Sequence, residues 1–329
     1  MVTLNDYLFS GDTVLKILHN FSSDLKNSAL KTHNSIDMEH CNFVLQQIEL
    51  LEHNDFLTSQ SQRIRELYKL MAQKYPFLAF TFKGRIKSLI RAEEKFNGYI
   101  VEYIYDYYKE HKEFPTENDL KDKLNCFRDL IAYRIVISMP KCHIENGQSR
   151  EEVELKYLYE IANQLPEFLE QRGFSIQISE REGARHSEFI KEEYRPYFRD
   201  YISNPSPIGY KSLHVTLFDN VAHSYIEVQL RTKEMDDYAE IGAANHMGYE
   251  KRQEAERSRR EEIPFGECIY FDEAYERVVK LHGLNLADVD VNMFGAIDNN
   301  LINDGCGLFR GRLILPFEHL SRFQNDIID

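Results

Sequence analysis

Apolar and polar positions alternate strictly through Tyr225-Ile226-Glu227-Val228-Gln229-Leu230-Arg231-Thr232. Ile226, Val228 and Leu230 fall on one side; Tyr225, Glu227, Gln229 and Arg231 fall on the other. A period of two predicts a half-buried strand. Just upstream, Gly209 to Leu217 reads as a second strand whose polar side holds Ser212, His214 and Thr216. The link Phe218–Ala222 suits a hairpin, so the two strands would lie side by side. Carboxylate, imidazole, hydroxyl and guanidinium groups would then share one face, which is a candidate site floor. The β-branched run Leu130–Ile137 predicts a central strand with Asp129 at its mouth, and Phe174–Ile178 a shorter one.

Helical spacing dominates elsewhere. Residues 1 to about 75 predict helices, 83–112 a helix, Glu151–Gln171 an amphipathic helix, and Lys233 to about Glu262 a long, charged helix. Lys87, Arg91 and Lys95, at i, i+4 and i+8, would line one face of the 83–112 helix. His33 and His40 read as surface histidines. Arg195–Pro207 reads as a polar loop. Gly305–Leu308 and Leu313–Leu315 predict a small strand unit. The expected division is a helical N-terminal extension (1–75), a central domain (76–255) and a C-terminal extension (256–329).

Composition narrows the class. The 329 residues are 43% hydrophobic and 29% charged, an ordinary globular balance. No apolar run approaches a membrane span, and the N-terminus carries no signal-peptide pattern. Cys41, Cys126, Cys142, Cys268 and Cys306 are scattered without metal-ligand spacing, so a reducing cytoplasm is the simplest expectation. A net charge of −14 disfavours a general nucleic-acid coat. Trp is absent, but 20 Tyr and 21 Phe supply stacking surfaces.

Three polar clusters could converge on one sheet: Arg85, Lys87, Arg91 and Lys95; Asp129; and Tyr210, His214, Glu227, Gln229 and Arg231. Two strand carboxylates suit Mg2+, which takes hard oxygen ligands from protein and from substrate phosphates. Cations beside it would neutralise a polyphosphate, and phosphoryl-type transfer asks a protein mainly for positioning and charge. Each cluster alone also has an ordinary reading: a solvated basic face, a turn aspartate, a cross-strand glutamate.

Gly84-Arg85-Ile86-Lys87-Ser88, Asp129-Leu130-Ile131-Ala132-Tyr133-Arg134, Gly209-Tyr210-Lys211-Ser212-Leu213-His214 and Glu227–Met235 resemble, in order, motifs of the synthetase domain of the RelA/SpoT family. Ala243-Ala244-Asn245-His246 and Tyr249-Glu250-Lys251 extend the likeness, which covers roughly 75–252. The resemblance implies an α+β, nucleotidyltransferase-like mixed sheet flanked by helices. It implies transfer of the β,γ-pyrophosphate of ATP to the ribose 3′-hydroxyl of GDP or GTP, with Mg2+. Under it, Arg85 would clamp the ATP base, and Lys87, Arg91 and Lys95 would complete the ATP-binding set. Asp129 and Glu227 would be the catalytic, metal-ligating pair, Glu227 alternatively a base. Arg199, Tyr210, Lys211, His214, Gln229 and Arg231 would serve the acceptor, Tyr210 by stacking.

The chain departs from the family pattern in places. Arg91 stands where Ser is usual, and the acceptor loop, Pro205-Ser206-Pro207-Ile208-Gly209-Tyr210, has Ser206 at a frequent Lys. The acceptor is therefore less defined than the chemistry. A tRNA 3′ end or an adenine nucleotide is the alternative acceptor, and a non-catalytic nucleotide sensor the third reading. No His-Asp dyad marks the hydrolase found in long family members, so a synthetase alone is expected. Homo-oligomerisation is left open, and no membrane partner is expected.

Overall fold

The structure is a computed structural model that describes residues 1–52, 55–87, 89–124, 129–145, 147–179, 185–206, 208–240 and 243–284, and three short strands between 307 and 320. For 55–58, 61, 83, 85, 240, 243–250 and those three strands only the backbone is described. The elements, in chain order, are α1 (Val14–Thr32), α2 (Ser35–Glu52), α3 (Asp55–Lys74), β1 (Ala79–Ile86), α4 (Leu89–His111), α5 (Glu117–Leu124), β2 (Ile131–Ser138), α6 (Arg150–Ala162), α7 (Leu165–Glu170), β3 (Phe174–Gln177), β4 (Phe198–Asp200), β5 (Leu213–Asp219), β6 (Ser224–Thr232), α8 (Lys233–Glu240), α9 (Ala243–Glu262), α10 (Ile269–His282), β7 (Gly307–Phe309), β8 (Arg312–Ile314) and β9 (Glu318–Leu320). They form two compact units, each assembled from three stretches of chain: Met1–Asn54, Ser88–Phe127 and Glu250–Asn300 in one, and Asp55–Lys87, Arg128–Tyr249 and Leu301–Asp329 in the other.

The first unit is helical. Phe21, Phe43 and Phe96 are buried in its core. His40, expected at the surface, is 0% exposed. Its ring stacks on Phe96 at 4.7 Å, and its Nε2 lies 2.6 Å from Glu93 Oε2. The apolar spacing of α2 carries this histidine inward, and Glu93 of α4 supplies the partner that a buried polar group needs. Arg277 of α10 donates to Asp37 of α2 at 2.8 Å, so the C-terminal helix is tied into the same core.

The second unit is built on a mixed sheet of order β3-β5-β6-β2-β1-β8-β7, with β4 added beside β5 and β9 beside β1. Only β2 and β6 run parallel among these pairs. All eight residues of β2 are buried, as expected of a central strand covered on both faces. The β5–β6 hairpin forms as the alternation predicts, Thr216 lying opposite Glu227 and Leu217 opposite Ile226. Thr232 ends β6 and caps α8 by accepting from the Met235 N–H.

Four expectations are corrected. The 83–112 helix begins only at Leu89, because Ala79–Ile86 pairs along its whole length with β2. Lys87 therefore precedes the helix instead of lining it, its N–H bonded to Leu130 O at 2.8 Å. Glu151–Gln171 divides into α6 and α7, with a proline in the first turn of α7, where its missing N–H costs nothing. The loop Arg195–Pro207 contains the edge strand β4; Pro207 itself lies outside the described residues. The helix expected over Lys233–Glu262 is divided between α8 and α9.

Candidate active site

Strand register gathers the candidate residues. Arg199 lies opposite His214, His214 opposite Gln229, and Gln229 opposite Arg134. One step along, Thr216 lies opposite Glu227, Glu227 opposite Ala132, and Ala132 opposite Arg85. Directly paired residues share a face, so two adjacent rows of the sheet carry the polar groups.

These side chains are satisfied mainly by one another. Glu227 is 4% exposed. Its Oε2 accepts from Arg199 Nη2 at 2.5 Å and lies 3.2 Å from His214 Nδ1. Its Oε1 accepts from Gln229 Nε2 at 2.6 Å. Gln229 Oε1 in turn accepts from Arg231 Nη2 at 2.9 Å. Arg231 Nη2 also donates to the Tyr210 hydroxyl, which sits 2.9 Å from His214 Nε2. The contacts close into a ring: Glu227, Gln229, Arg231, Tyr210, His214.

The ring fixes the protons. A guanidinium only donates, so the Tyr210 oxygen accepts from Arg231 and its own O–H goes to His214 Nε2. His214 then carries its hydrogen on Nδ1 and donates to Glu227. Burial lowers the pKa of His214, helped by Arg199 and Arg231 and opposed by Glu227, which keeps the imidazole neutral. Burial alone would raise the Glu227 carboxyl, but the hydrogen bond from His214, the Arg199 charge and the Gln229 amide hold it well below the usual range. The site thus presents an ionised carboxylate beside a neutral imidazole.

A second pair lies on the β1–β2 side. Lys87 Nζ donates to Asp129 Oδ2 at 2.8 Å. Asp129 lies three residues before Ala132, the register partner of Glu227, so the two carboxylates are not level on the sheet. Lys211 is half-buried. Arg85 holds its register position, but its side chain lies outside the described residues. Arg91 and Lys95 belong to the helical unit, where Arg91 pairs with Glu94 at 2.5 Å and Lys95 sits 5.2 Å over the Tyr99 ring.

The acceptor-loop departures have local explanations. Ser206 builds the turn: its carbonyl accepts from the Gly209 N–H at 2.8 Å and its hydroxyl from the Tyr210 N–H at 3.1 Å. Gly209 has φ 76°, and a Cβ there would meet the Tyr238 hydroxyl at 2.9 Å. Tyr238 packs closely against this glycine and donates to Ile208 O at 2.8 Å. Sequence reasoning missed Asp236 and Arg134. Asp236 Oδ1 lies 3.2 Å from Arg231 Nη1 and 3.1 Å from Arg134 Nη1. Asp236 follows the strand in a new helix, so no periodic signal links it to the sheet.

Residues 84–254 match the model of the region found in RelA / SpoT proteins. Among similar proteins, the GTP pyrophosphokinase rsh of Brucella ovis is 46% identical over 55 residues, 17% of this chain and 7% of that one. The guanosine-3′,5′-bis(diphosphate) 3′-pyrophosphohydrolase of Borreliella burgdorferi is 29% identical over 157 residues, 44% of this chain and 23% of that one. The chain therefore spans less than a quarter of the length of either relative. Among solved structures, small alarmone synthetase 2 from Bacillus subtilis is 19% identical, with 70% of this chain and 91% of that one covered at a TM-score of 0.32. Small alarmone synthetase 1 from the same organism, bound to its product pppGpp, is 14% identical, with coverages of 72% and 93% and a TM-score of 0.33. The matched region runs from β1 into α9 and takes in every residue of the Glu227 ring together with Asp129 and Asp236; the chain belongs to the RelA/SpoT family.

Proposed function

We propose that the protein is an ATP-dependent pyrophosphotransferase that modifies the ribose 3′-hydroxyl of GDP or GTP. In that reaction the 3′-oxygen attacks the β-phosphorus of ATP and gives up its proton to solvent, the bond from that phosphorus to the α-bridging oxygen breaks, and AMP leaves. The observation that carries the reading is the buried Glu227, paired with Arg199 and held ionised, inside a family region that also contains the Asp129–Lys87 pair. Phosphoryl-type transfer needs such fixed charge more than it needs a protein nucleophile.

Mg2+ fits the donor chemistry. Among the described residues no group of three or more His, Cys, Asp or Glu is arranged to hold a metal. Mg2+ does not require one, since it is usually held by one or two carboxylates, with water and substrate phosphates as its other ligands. Asp129 and Glu227 are oxygen donors of that kind, each now balanced by a cation, Lys87 or Arg199. When bound, the ion would neutralise charge developing on the phosphate oxygens. The depressed pKa of Glu227 favours this ligand role over proton abstraction, because a general base works best with a pKa near the operating pH. Arg199, 28% exposed at its side chain against 6% for Glu227, is the more accessible member of the pair and would meet an anionic acceptor.

The test is incubation with ATP labelled at the γ-phosphate, Mg2+, and GDP, GTP, AMP or tRNA in separate reactions. Label on GDP or GTP is expected. Label only on tRNA or AMP would replace the acceptor and keep the reaction, and no transfer to any of them would defeat the proposal.

A further inference from the structure

Arg231 is the most completely engaged side chain in the ring. Its Nε lies 3.4 Å from Ser212 Oγ, its Nη1 3.2 Å from Asp236 Oδ1, and its Nη2 reaches both Gln229 Oε1 and the Tyr210 hydroxyl. Its guanidinium carbon also sits 4.9 Å from the centroid of the Tyr210 ring. The side chain is 3% exposed, so ligand does not reach it without rearrangement. Asp236, itself 5% exposed, balances this charge together with that of Arg134.

Tyr210 is correspondingly constrained. The Arg231 guanidinium lies against the hydroxyl end of its ring. Its hydroxyl accepts from Arg231 and donates to His214. Tyr201 meets its ring edge-on, with centroids 5.9 Å apart. His214 also meets it at right angles, with centroids 5.9 Å apart, and the ring is half-buried, so part of it stays accessible to a ligand.

We infer that Asp236 is a positioning residue for the acceptor, acting through Arg231 to hold the Tyr210 ring at a fixed tilt. The inference rests on the proposed transfer to GDP or GTP and on the acceptor role that the family resemblance implies for Tyr210. It adds that this ring recognises the acceptor by stacking alone, since its phenol is spent inside the protein. A ring held in advance loses less freedom when a base stacks on it, and that loss would otherwise weaken binding. Base identity must then be read by other groups, because every base has a π-face.

The experiment is isothermal titration of full-length wild type, Asp236→Asn, Tyr210→Ala, the double variant and Tyr210→Phe. Each is titrated with GDP alone and with α,β-methylene ATP plus Mg2+, an analogue whose α–β bridge cannot be cleaved. Asp236→Asn should weaken GDP binding roughly 3- to 10-fold, a range reasonable for residues sharing one hydrogen-bonded network, and leave the ATP analogue unchanged. In the Tyr210→Ala background it should change GDP binding no further. Tyr210→Phe keeps the ring and removes only its anchor, so it provides a milder second arm and should show a loss similar to that of Asp236→Asn. Equal losses for both nucleotides, or a GDP loss that persists without Tyr210, would make Asp236 merely structural and overturn the inference. Wild-type GDP affinity in Tyr210→Phe would overturn it as well. If Tyr210→Ala itself leaves GDP binding intact, the acceptor role of Tyr210 fails first, and the inference fails with it.

Discussion

Asp219 and Glu227 sit on one hairpin, and both are buried carboxylates held by one arginine and one glutamine. Asp219 Oδ2 takes Arg63 at 2.5 Å and Gln60 at 3.0 Å, while Glu227 takes Arg199 and Gln229. The difference lies in where the partners come from. Arg63 and Gln60 belong to α3, Gln60 also accepts from the Tyr133 hydroxyl, and Asp219 Oδ1 accepts the N–H groups of Val221 and Ala222 in the turn. Asp219 therefore fastens a helix, a turn and a strand together. The partners of Glu227 are neighbours on the sheet itself, already placed by strand pairing. They add little to the architecture, yet they hold a charge ionised and bring a neutral imidazole against it. Burial and an ion pair do not distinguish a fastening from a site; the origin of the partners does.

The comparison can be sharpened on the β1–β2 side. Asp129 and Lys87 are both less than one-fifth exposed at their side chains, and their pair joins a strand mouth to the link that follows β1. Asp129→Asn should cut pyrophosphate transfer about 100-fold, comparable to the loss of one transition-state charge contact. Its stability should change by no more than about 1 kcal/mol, as for a partly exposed pair. Excess Mg2+ should restore activity only in part, because a neutral amide oxygen is a poorer ligand for a hard cation. Activity that survives in EDTA would remove the metal from the account.

Asp219→Ala should behave in the opposite way. Leaving Arg63 without its buried partner should cost about 3 kcal/mol or more, read as a fall in Tm. Turnover per folded molecule should stay close to wild type. A stable but inactive Asp219→Ala protein would erase the distinction between the two carboxylates.

The smallest effect is in acid. Burial raises Asp219 less than Arg63, Gln60 and the two turn N–H groups lower it, so its folded pKa lies below the unfolded one. A depressed carboxyl contributes stability that is whole above the unfolded value, about 3.9 for Asp, and is lost as pH falls through the folded value. Asp219→Ala should therefore lose stability less steeply in that window, by at most about 1.4 kcal/mol per pH unit, the share of one proton. Urea melts between pH 5 and 2.5 would show it, and identical slopes would mean that Asp219 titrates normally.

Much of this was legible in the chain. The alternation in 224–232 placed Glu227, Gln229 and Arg231 on one side of a strand, and the hairpin placed His214 beside them. The signal failed where a strand ends close to a helix start: Lys87, Arg91 and Lys95 keep helical spacing, although Lys87 precedes the helix that begins at Leu89. His40 was misplaced because polarity was taken for exposure, while its partner Glu93 lies 53 residues away. Asp236 was invisible for a similar reason. Its two arginines lie on two strands that only the parallel β2–β6 pairing brings together. Local patterns report periods, and pairings between distant charges leave no period to read.

The central claim is that the Glu227 charge serves chemistry and not architecture. Its most direct test is transfer of γ-label from ATP to GDP by Glu227→Gln, with a melting curve on the same sample. The isosteric amide can still accept from Arg199 and His214 and loses only the bond from Gln229, so Tm should fall by less than half of the drop expected for Asp219→Ala, while transfer should fall about 100- to 1000-fold with the loss of fixed charge. Wild-type turnover by a folded Glu227→Gln protein would contradict the account, and so would a collapse of Tm as large as that expected for Asp219→Ala.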